Sequence, residues 1–277
     1  MAANVTTLQR RLQEWTQGPA HERNYRRGPL QTIDGALAPA GGRAPVAAIQ
    51  LSIAAWLLGT WQLAAGEARV LDGDGHGWDD ACLGAGLLRT ALWLRCERPA
   101  ARRDTRAPDL PVLQTANWAC AALALGDPHA EELLATFAAL PDASFRAGDA
   151  FPLFVRELLR LRAGERATVT PRLDVYADVL QAWTGDEGHF ARRLANVLDH
   201  HLERTHGAPG QRTEFDEPGF WLYPAEVLAV RAVRADLGLP WPKVEHPLMF
   251  TNLATTAPVG VWPADELQRR LDRALRR

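Results

Sequence analysis

Residue types on which many catalytic sites depend are scarce in this chain. It has two serines, Ser52 and Ser144, and neither lies in the GxSxG or SxxK motif of serine-dependent enzymes. Its three cysteines, Cys82, Cys96 and Cys120, contain no CxxC pair, and their odd number does not suit a closed disulfide framework. A GK[ST] phosphate-binding loop is also missing. The sequence therefore predicts no catalytic residues, no cofactor and no enzymatic activity.

An excess of charge of either sign is also missing. The 277 residues carry a formal net charge of -2 at pH 7, and they are 47% hydrophobic and 23% charged. Nucleic acids and anionic membranes attract basic surfaces, which a nearly neutral chain does not offer. We expect a folded chain with a full core and without a nucleic-acid partner.

One segment raises the question of a membrane span. Ala44 to Ala65 contains no charged residue and is long enough to cross a bilayer. However, Pro45, Gln50 and Gln62 interrupt it, and Trp56 lies near its centre rather than at an interface. These features favour a buried core helix and no membrane partner. Because the first residues also lack the apolar core of a secretory signal, we expect a cytoplasmic protein.

Helical periodicity dominates the chain, and the alternation typical of strands is almost absent. The sequence predicts an all-α fold of antiparallel helical hairpins, packed as a bundle or a short solenoid with little or no sheet. We expect a polar lead-in over residues 1–42 with one amphipathic stretch, Thr7–Trp15. A helical first half should span 43–165, and a helical second half over 166–277 should pack with the first as one globular unit. Helices are predicted over about 44–65, 78–97, 112–125, 128–140, 149–163, 174–183, 187–206, 224–237 and 263–277.

An acidic loop joins the first two of these helices. It carries four aspartates, Asp72, Asp74, Asp79 and Asp80, among glycines. Its start resembles an EF-hand loop, but Leu83 takes the twelfth position, where calcium binding needs a bidentate glutamate. We therefore interpret it as a helix connection and as the second candidate for a partner-binding surface.

The first candidate is a loop that mixes acids with aromatic residues. Its members are Glu214, Phe215, Asp216, Glu217, Phe220, Trp221 and Tyr223. Exposed aromatic residues beside acids form binding hot spots for a basic partner. The alternative is that the aromatics cover the helices beneath, and the sequence does not separate the two.

A histidine-rich stretch offers the strongest metal-like pattern. Glu203 and His206 have the ExxH spacing of di-iron helical bundles. Such sites also need a second ExxH and two further glutamates, for which Asp186 and His189 are a poor substitute. We therefore predict no metal site.

Helical phase suggests a structural role for one of the neighbouring histidines. His201 follows Leu194 and Val197 on one face and should point toward the core, whereas His200 should face water. Glu226 lies at the edge of the buried face of its helix, where a carboxylate needs a partner. His201 or an arginine could provide it, so we interpret His201 and Glu226 as buried structural polar residues.

The second half resembles a known family. Its features are Asp174–Trp183, a helix ending in Asp199-His200-His201, the segment Gly219–Glu226, the turn Leu237–Pro240, and Glu245–Leu248. In this order they resemble the C-terminal half of helical immunity proteins from bacterial polymorphic-toxin and type VI secretion systems.

The resemblance covers Asp174 to Ala254. Near its end this chain has Pro247–Leu253 where the family often has Tyr-Pro-Tyr-Asp-Leu. The resemblance implies a cytoplasmic inhibitor that occludes the active site of a cognate toxin encoded by the adjacent gene. Two alternatives stay open: a helical metalloenzyme using Glu203, His206, His200 and Glu226, and a non-enzymatic helical scaffold or regulator.

Overall fold

A computed structural model describes residues 4–38, 48–96, 110–205, 212–258, 262–263 and 266–275. Every regular element in these ranges is helical, which confirms the predicted all-α class. The α-helices are α1 (Val5–Gln17), α2 (Pro19–His21), α3 (Gly28–Leu37), α4 (Ala48–Leu71), α5 (Gly77–Cys96), α6 (Val112–Leu125), α7 (Glu131–Ala138), α8 (Ala150–Arg162), α9 (Val175–Gln181), α10 (Glu187–Arg204), α11 (Ala225–Asp236), α12 (Asn252–Thr255) and α13 (Glu266–Leu275). A π-helical segment, Glu22–Arg27, connects α2 to α3, and 3₁₀ turns lie at Asp142–Ser144, Pro171–Leu173, Pro218–Phe220 and Pro247–Phe250.

The chain divides into two compact units. The larger unit comprises residues 1–9 and 111–257, and the smaller unit comprises residues 10–110 and 258–277. The expected division between residues 165 and 166 lies inside the larger unit, where α8 packs against α9 and the 3₁₀ turn before it. The packing of the expected halves as one globular body stays a prediction.

Residues 4–38, the described part of the stretch expected as a polar lead-in, are mostly helical. Their helices bury apolar side chains, since Leu8, Leu12 and Ile33 are fully buried. The π-helical segment adds a residue to its turn and so shifts the apolar repeat away from the α-helical period. The amphipathic stretch predicted over Thr7–Trp15 lies within α1, whereas this shift, together with Pro19 and Pro29, hides the helices that follow from a search for regular periodicity.

Helix α6 is central to the larger unit. Residues 115–123 are all buried, and α6 packs against both α8 and α11. A helix that is apolar around most of its circumference is buried on most sides. Gly126, with a φ of 72°, ends the helix in the left-handed conformation that favours glycine. The observed bounds of α6 equal the predicted ones.

Helix α7 begins later than predicted. The sequence favours a start at Pro128 with Asp127 as the N-cap. Instead, Asp127 Oδ1 accepts a hydrogen bond from the backbone amide of His129 at 2.9 Å, and the helix begins at Glu131. The aspartate therefore closes a turn before the helix, because its short side chain reaches an amide two residues on.

Helices α4 and α5 form a tightly packed hairpin in the smaller unit. Gly66 of α4 lies against α5, and a Cβ atom built on it would stand 2.5 Å from the Gly77 carbonyl oxygen and 2.5 Å from the Ala81 amide nitrogen. A Cβ on Gly59 would stand 2.9 Å from the Gly84 carbonyl oxygen. The two backbones are therefore in contact, and only hydrogen fits between them.

Within the described ranges, α4 is the one helix long and apolar enough to cross a membrane. Inside the structure, 56% of its most apolar window is buried, and α5, α3 and the π-helical segment all pack against it. This covering by protein is the arrangement expected of a core helix. A cytoplasmic location stays a prediction.

Helix α4 also buries its single acid. Glu67 is 0% exposed, and neither carboxylate oxygen has a hydrogen-bond partner among the described residues. Burial raises the pKa of Glu67 well above its ordinary value, because a charged carboxylate loses its hydration there. The protonated form is thus the one that suits the folded state.

The backbone contact between α4 and α5 predicts that Gly66→Ala destabilises the fold. Overpacking against backbone atoms costs about 1–3 kcal/mol or more. The control is Gly35→Ala in α3, where an added Cβ meets nothing within 4 Å and helix propensity favours alanine by about 0.5–1 kcal/mol. In urea unfolding, we expect a lower midpoint for Gly66→Ala and a higher midpoint for Gly35→Ala, each compared with the native chain. Equal midpoints would contradict the close approach.

The buried acid predicts that Glu67→Gln stabilises the protein at neutral pH. Because the folded-state pKa is raised, the contribution of Glu67 to stability is full below the ordinary glutamate pKa of 4.5 and is lost as pH rises through the folded-state pKa. Glutamine stays neutral, so the gain over the native chain should appear in urea unfolding at pH 7.5 and vanish near pH 4. The control is Glu132→Gln, at an exposed position of α7, which should change the stability equally at both pH values. A gain equal at both pH values would show that burial of the acid is not its cause.

Candidate functional site

The acidic-aromatic segment, residues 212–224, connects α10 to α11 and packs its rings inward. Phe215, Phe220 and Tyr223 are 1% exposed, and Trp221 is 4% exposed. The Trp221 indole donates from Nε1 to the carbonyl oxygen of Asp216 at 2.9 Å. The expectation of exposed aromatic contacts is therefore wrong, and the alternative describes these rings, because burying four large apolar surfaces stabilises the fold more than exposing them.

The acids of this segment lie closer to the surface. Glu214, Asp216 and Glu217 are all partly exposed. Burial of part of Asp216 raises its pKa, although the Thr213 amide and Arg212 act in the opposite direction. A carboxylate that has lost part of its hydration gains more from an incoming cation than a fully hydrated one. Of the predicted partner-binding residues of this segment, the acids are thus the ones available to a partner.

Several contacts fix the backbone of the segment. Asn117 of α6 donates from Nδ2 to the Glu214 carbonyl oxygen at 2.9 Å, and the Phe215 amide donates to the Arg204 carbonyl oxygen at 3.3 Å. His200 Nε2 lies 2.8 Å from Glu214 Oε2. The segment is therefore attached to α6 and to the end of α10.

His200 occupies a different environment from the one predicted. Its side chain is 12% exposed, and its ring meets the Tyr176 ring edge-on with centroids 5.7 Å apart. Helical phase alone places it toward water, but the 212–224 segment returns over this face of α10 and covers it. A contact between residues 14 apart in sequence lies beyond any helical pattern.

Beneath the segment lies a buried ionisable pair. His201 Nδ1 and Glu226 Oε1 are 2.8 Å apart, and both residues are 0% exposed. His201 Nε2 faces the Trp221 carbonyl oxygen at 3.3 Å, and the imidazole stacks on Phe215 with centroids 4.1 Å apart. Each of these two groups therefore has a hydrogen-bond partner in the core, so neither is left as an unpaired buried group, which would be costly.

A second histidine stabilises the segment after α11. His246 Nδ1 accepts a hydrogen bond from the Leu248 amide at 3.2 Å, which caps the 3₁₀ turn Pro247–Phe250. Its Nε2 lies 3.4 Å from Asp199 Oδ1. Burial is the main cause that lowers the pKa of His246, which favours the neutral ring that this cap requires.

The buried cluster is closed to substrates. His201, Glu226, Tyr176 and Cys120 are all 0% exposed. Burial raises the pKa of the Cys120 thiol and of the Tyr176 hydroxyl well above their ordinary values, with nearby Glu226 adding to both. Neither group is therefore an activated nucleophile. The arrangement can position the acidic segment, but these four residues offer no solvent-accessible reacting group.

The two glutamates of the metalloenzyme alternative lie in different surroundings. Glu203 is exposed, whereas Glu226 is fully buried, and His206 lies outside the described residues. Within the described ranges, no group of three or more His, Cys, Asp or Glu residues could hold a metal ion.

In the second candidate surface, the 72–80 loop of the smaller unit, one arginine pairs with two of the four aspartates. Arg69 forms ion pairs with Asp74, at 2.6 Å, and with Asp80. Hydrogen bonding from Arg69 is the main cause that lowers the pKa of Asp74. Asp72 accepts from Gln13 Nε2 at 2.8 Å, and Asp79, with a side chain that is 60% exposed, lies 3.7 Å from His76 Nδ1. This loop therefore offers a partner less uncompensated charge than its four aspartates suggest.

Comparison of the chain with known protein families, characterised proteins and solved structures finds no match in any of the three.

The pairing of His201 with Glu226 predicts that removing one partner is worse than removing both. Glu226→Leu leaves His201 buried against an apolar side chain, which costs about 3–5 kcal/mol. Glu226→Leu combined with His201→Leu should recover at least part of that loss, because apolar residues of similar volume need no partner. Urea unfolding measures both. Additive losses in the double variant would contradict the pairing.

Proposed function

We propose that the protein is an immunity protein that binds a cognate bacterial toxin and occludes its active site. The observation that carries the proposal is the contrast within the larger unit between a sealed polar cluster and the anchored acidic segment above it. The side chains of His201, Glu226 and Cys120, which could take part in chemistry, are buried. The carboxylates of Asp216 and Glu217, which could bind a partner, are partly exposed. The resemblance of Asp174–Ala254 to helical immunity proteins agrees with a binding role.

Preorganisation supports such a role. A binding segment that is ordered before it meets its partner loses less conformational entropy on association. Here, the four inward-facing rings and the bonds to α6 and α10 hold residues 212–224 in one conformation. An inhibitor that must neutralise every copy of a toxin benefits from this preorganisation, because it raises affinity without enlarging the interface.

The charge of the segment indicates the chemistry of the partner. Asp216 is partly desolvated and lies near Arg212, and Glu217 Oε1 accepts a hydrogen bond from the Gln114 side-chain amide at 3.5 Å. Arginine or lysine side chains of a partner would bind to the exposed parts of these carboxylates. The proposed toxin surface is therefore basic, and association should weaken as salt concentration rises.

The proposal predicts that the acids govern affinity for the product of the adjacent gene. Isothermal titration with that product should give a one-to-one complex, and Asp216→Asn with Glu217→Gln should weaken it at least about tenfold, equivalent to about 1.4 kcal/mol. The control is Glu132→Gln with Glu187→Gln, which removes two exposed acids elsewhere in the larger unit and should leave affinity unchanged. In cells, the toxin should arrest growth unless the native chain is co-expressed. A product that neither binds nor harms cells would overturn the proposal.

A further inference from the structure

An open apolar groove lies between α7 and α8 of the larger unit, beside the end of α11. Its volume is about 300 Å³, and the apolar residues that line it are Leu134, Ala135, Ala138, Leu159 and Ala163. Both leucines are buried. Pockets for small ligands measure about 300–1,000 Å³ and are lined mainly by apolar side chains, with a few polar groups that orient the ligand. The groove therefore has the size of a site for a small apolar group.

Helical spacing explains why these residues share one surface. On α7, Ala135 and Ala138 are three residues apart, and Leu134 lies four residues before Ala138, so all three lie on one face of the helix. Leu159 and Ala163 are four residues apart at the end of α8, which packs against α7. Alanine has a short side chain, and its use on both sides of this helix contact leaves the space that larger side chains would fill.

Two carboxylates meet one arginine at this groove. Arg162, the last residue of α8, donates from Nη2 to Glu131 Oε1 at 2.7 Å and from Nη1 to Glu131 Oε2 at 3.0 Å. Its Nε donates to Asp236 Oδ2 at 2.8 Å. Glu131 begins α7 and Asp236 ends α11, so the arginine joins three helices. One guanidinium against two carboxylates leaves these three side chains with one negative charge in excess.

Asp236 is the acid that lines the groove, together with Arg162. Whereas Glu131 uses both carboxylate oxygens for the arginine, Asp236 uses only Oδ2, so its Oδ1 is left as an acceptor. The Asp236 side chain is 50% exposed, so a ligand can reach this oxygen. A carboxylate beside an apolar surface complements a molecule that carries a cation beside an apolar group.

We propose that the groove between α7 and α8 binds a small amine that carries an aromatic ring or a branched alkyl group. The apolar group packs against Leu134, Leu159 and the alanines, and the ammonium donates to Asp236 Oδ1. The size of the groove favours a free small molecule over a helix or strand of another protein, because about 300 Å³ is the lower limit even for small-ligand pockets. The inference does not depend on the proposed function, since it uses no residue of the 212–224 segment.

Methyl NMR of the native full chain tests the site. The probe is phenethylammonium, and phenethyl alcohol is its matched control, because it has the same apolar group without the charge. Titration of the ammonium should shift the methyl signals of Leu134, Leu159 and Ala138. At low salt its dissociation constant should be at least about threefold lower than that of the alcohol, as expected of a partly exposed ion pair. Unchanged signals at these methyl groups, or equal constants for the two compounds, would overturn the inference.

Two charge-removing variants separate the role of Asp236 from that of the apolar lining. In Asp236→Asn, the ammonium should bind no more tightly than the alcohol, because asparagine keeps the size of the side chain and removes its charge. Glu187→Gln, at an exposed position at the start of α10, is the control and should retain the preference for the ammonium. An undiminished preference in Asp236→Asn would contradict the assignment of that carboxylate. Should Asp236→Asn fail to fold, the comparison of the two compounds on the native chain decides.

Discussion

The hydrogen-bonded contact between His201 and Glu226 is the interaction on which the larger unit depends most. At 2.8 Å and with both side chains fully buried, it joins α10 to α11 where neither residue can exchange its partner for solvent. Around it, Phe215 stacks on the imidazole and the Trp221 carbonyl oxygen faces its second nitrogen. The pair thereby fixes the segment between the two helices as well as the helices themselves.

This organisation explains why groups that resemble a reactive site have a structural role. A histidine, a glutamate, a cysteine and a tyrosine lie together, but each is closed to solvent, and burial disfavours the charged forms of the thiol and the phenol by raising the pKa of each. What reaches the surface is the edge of the segment with its carboxylates. The proposed binding role follows from that division between a sealed interior and an acidic exterior.

The parts of this arrangement that follow from helical periodicity could be predicted from the sequence. The bounds of α6 and the inward direction of His201 follow from a regular apolar repeat. The environment of His200 and the burial of the four rings could not be predicted, because they result from a returning segment that makes contacts distant in sequence. Likewise, the helices between residues 19 and 37 escape prediction because a π-helical segment interrupts their period.

The central claim is that the anchored segment between α10 and α11 is the surface that receives a partner. Hydrogen–deuterium exchange of the protein, alone and with the product of the adjacent gene, tests it directly. The account predicts slow exchange in residues 212–224 of the free protein and a further decrease when the partner binds. Rapid exchange of this segment in the free protein, or protection confined to other surfaces in the complex, would contradict the account.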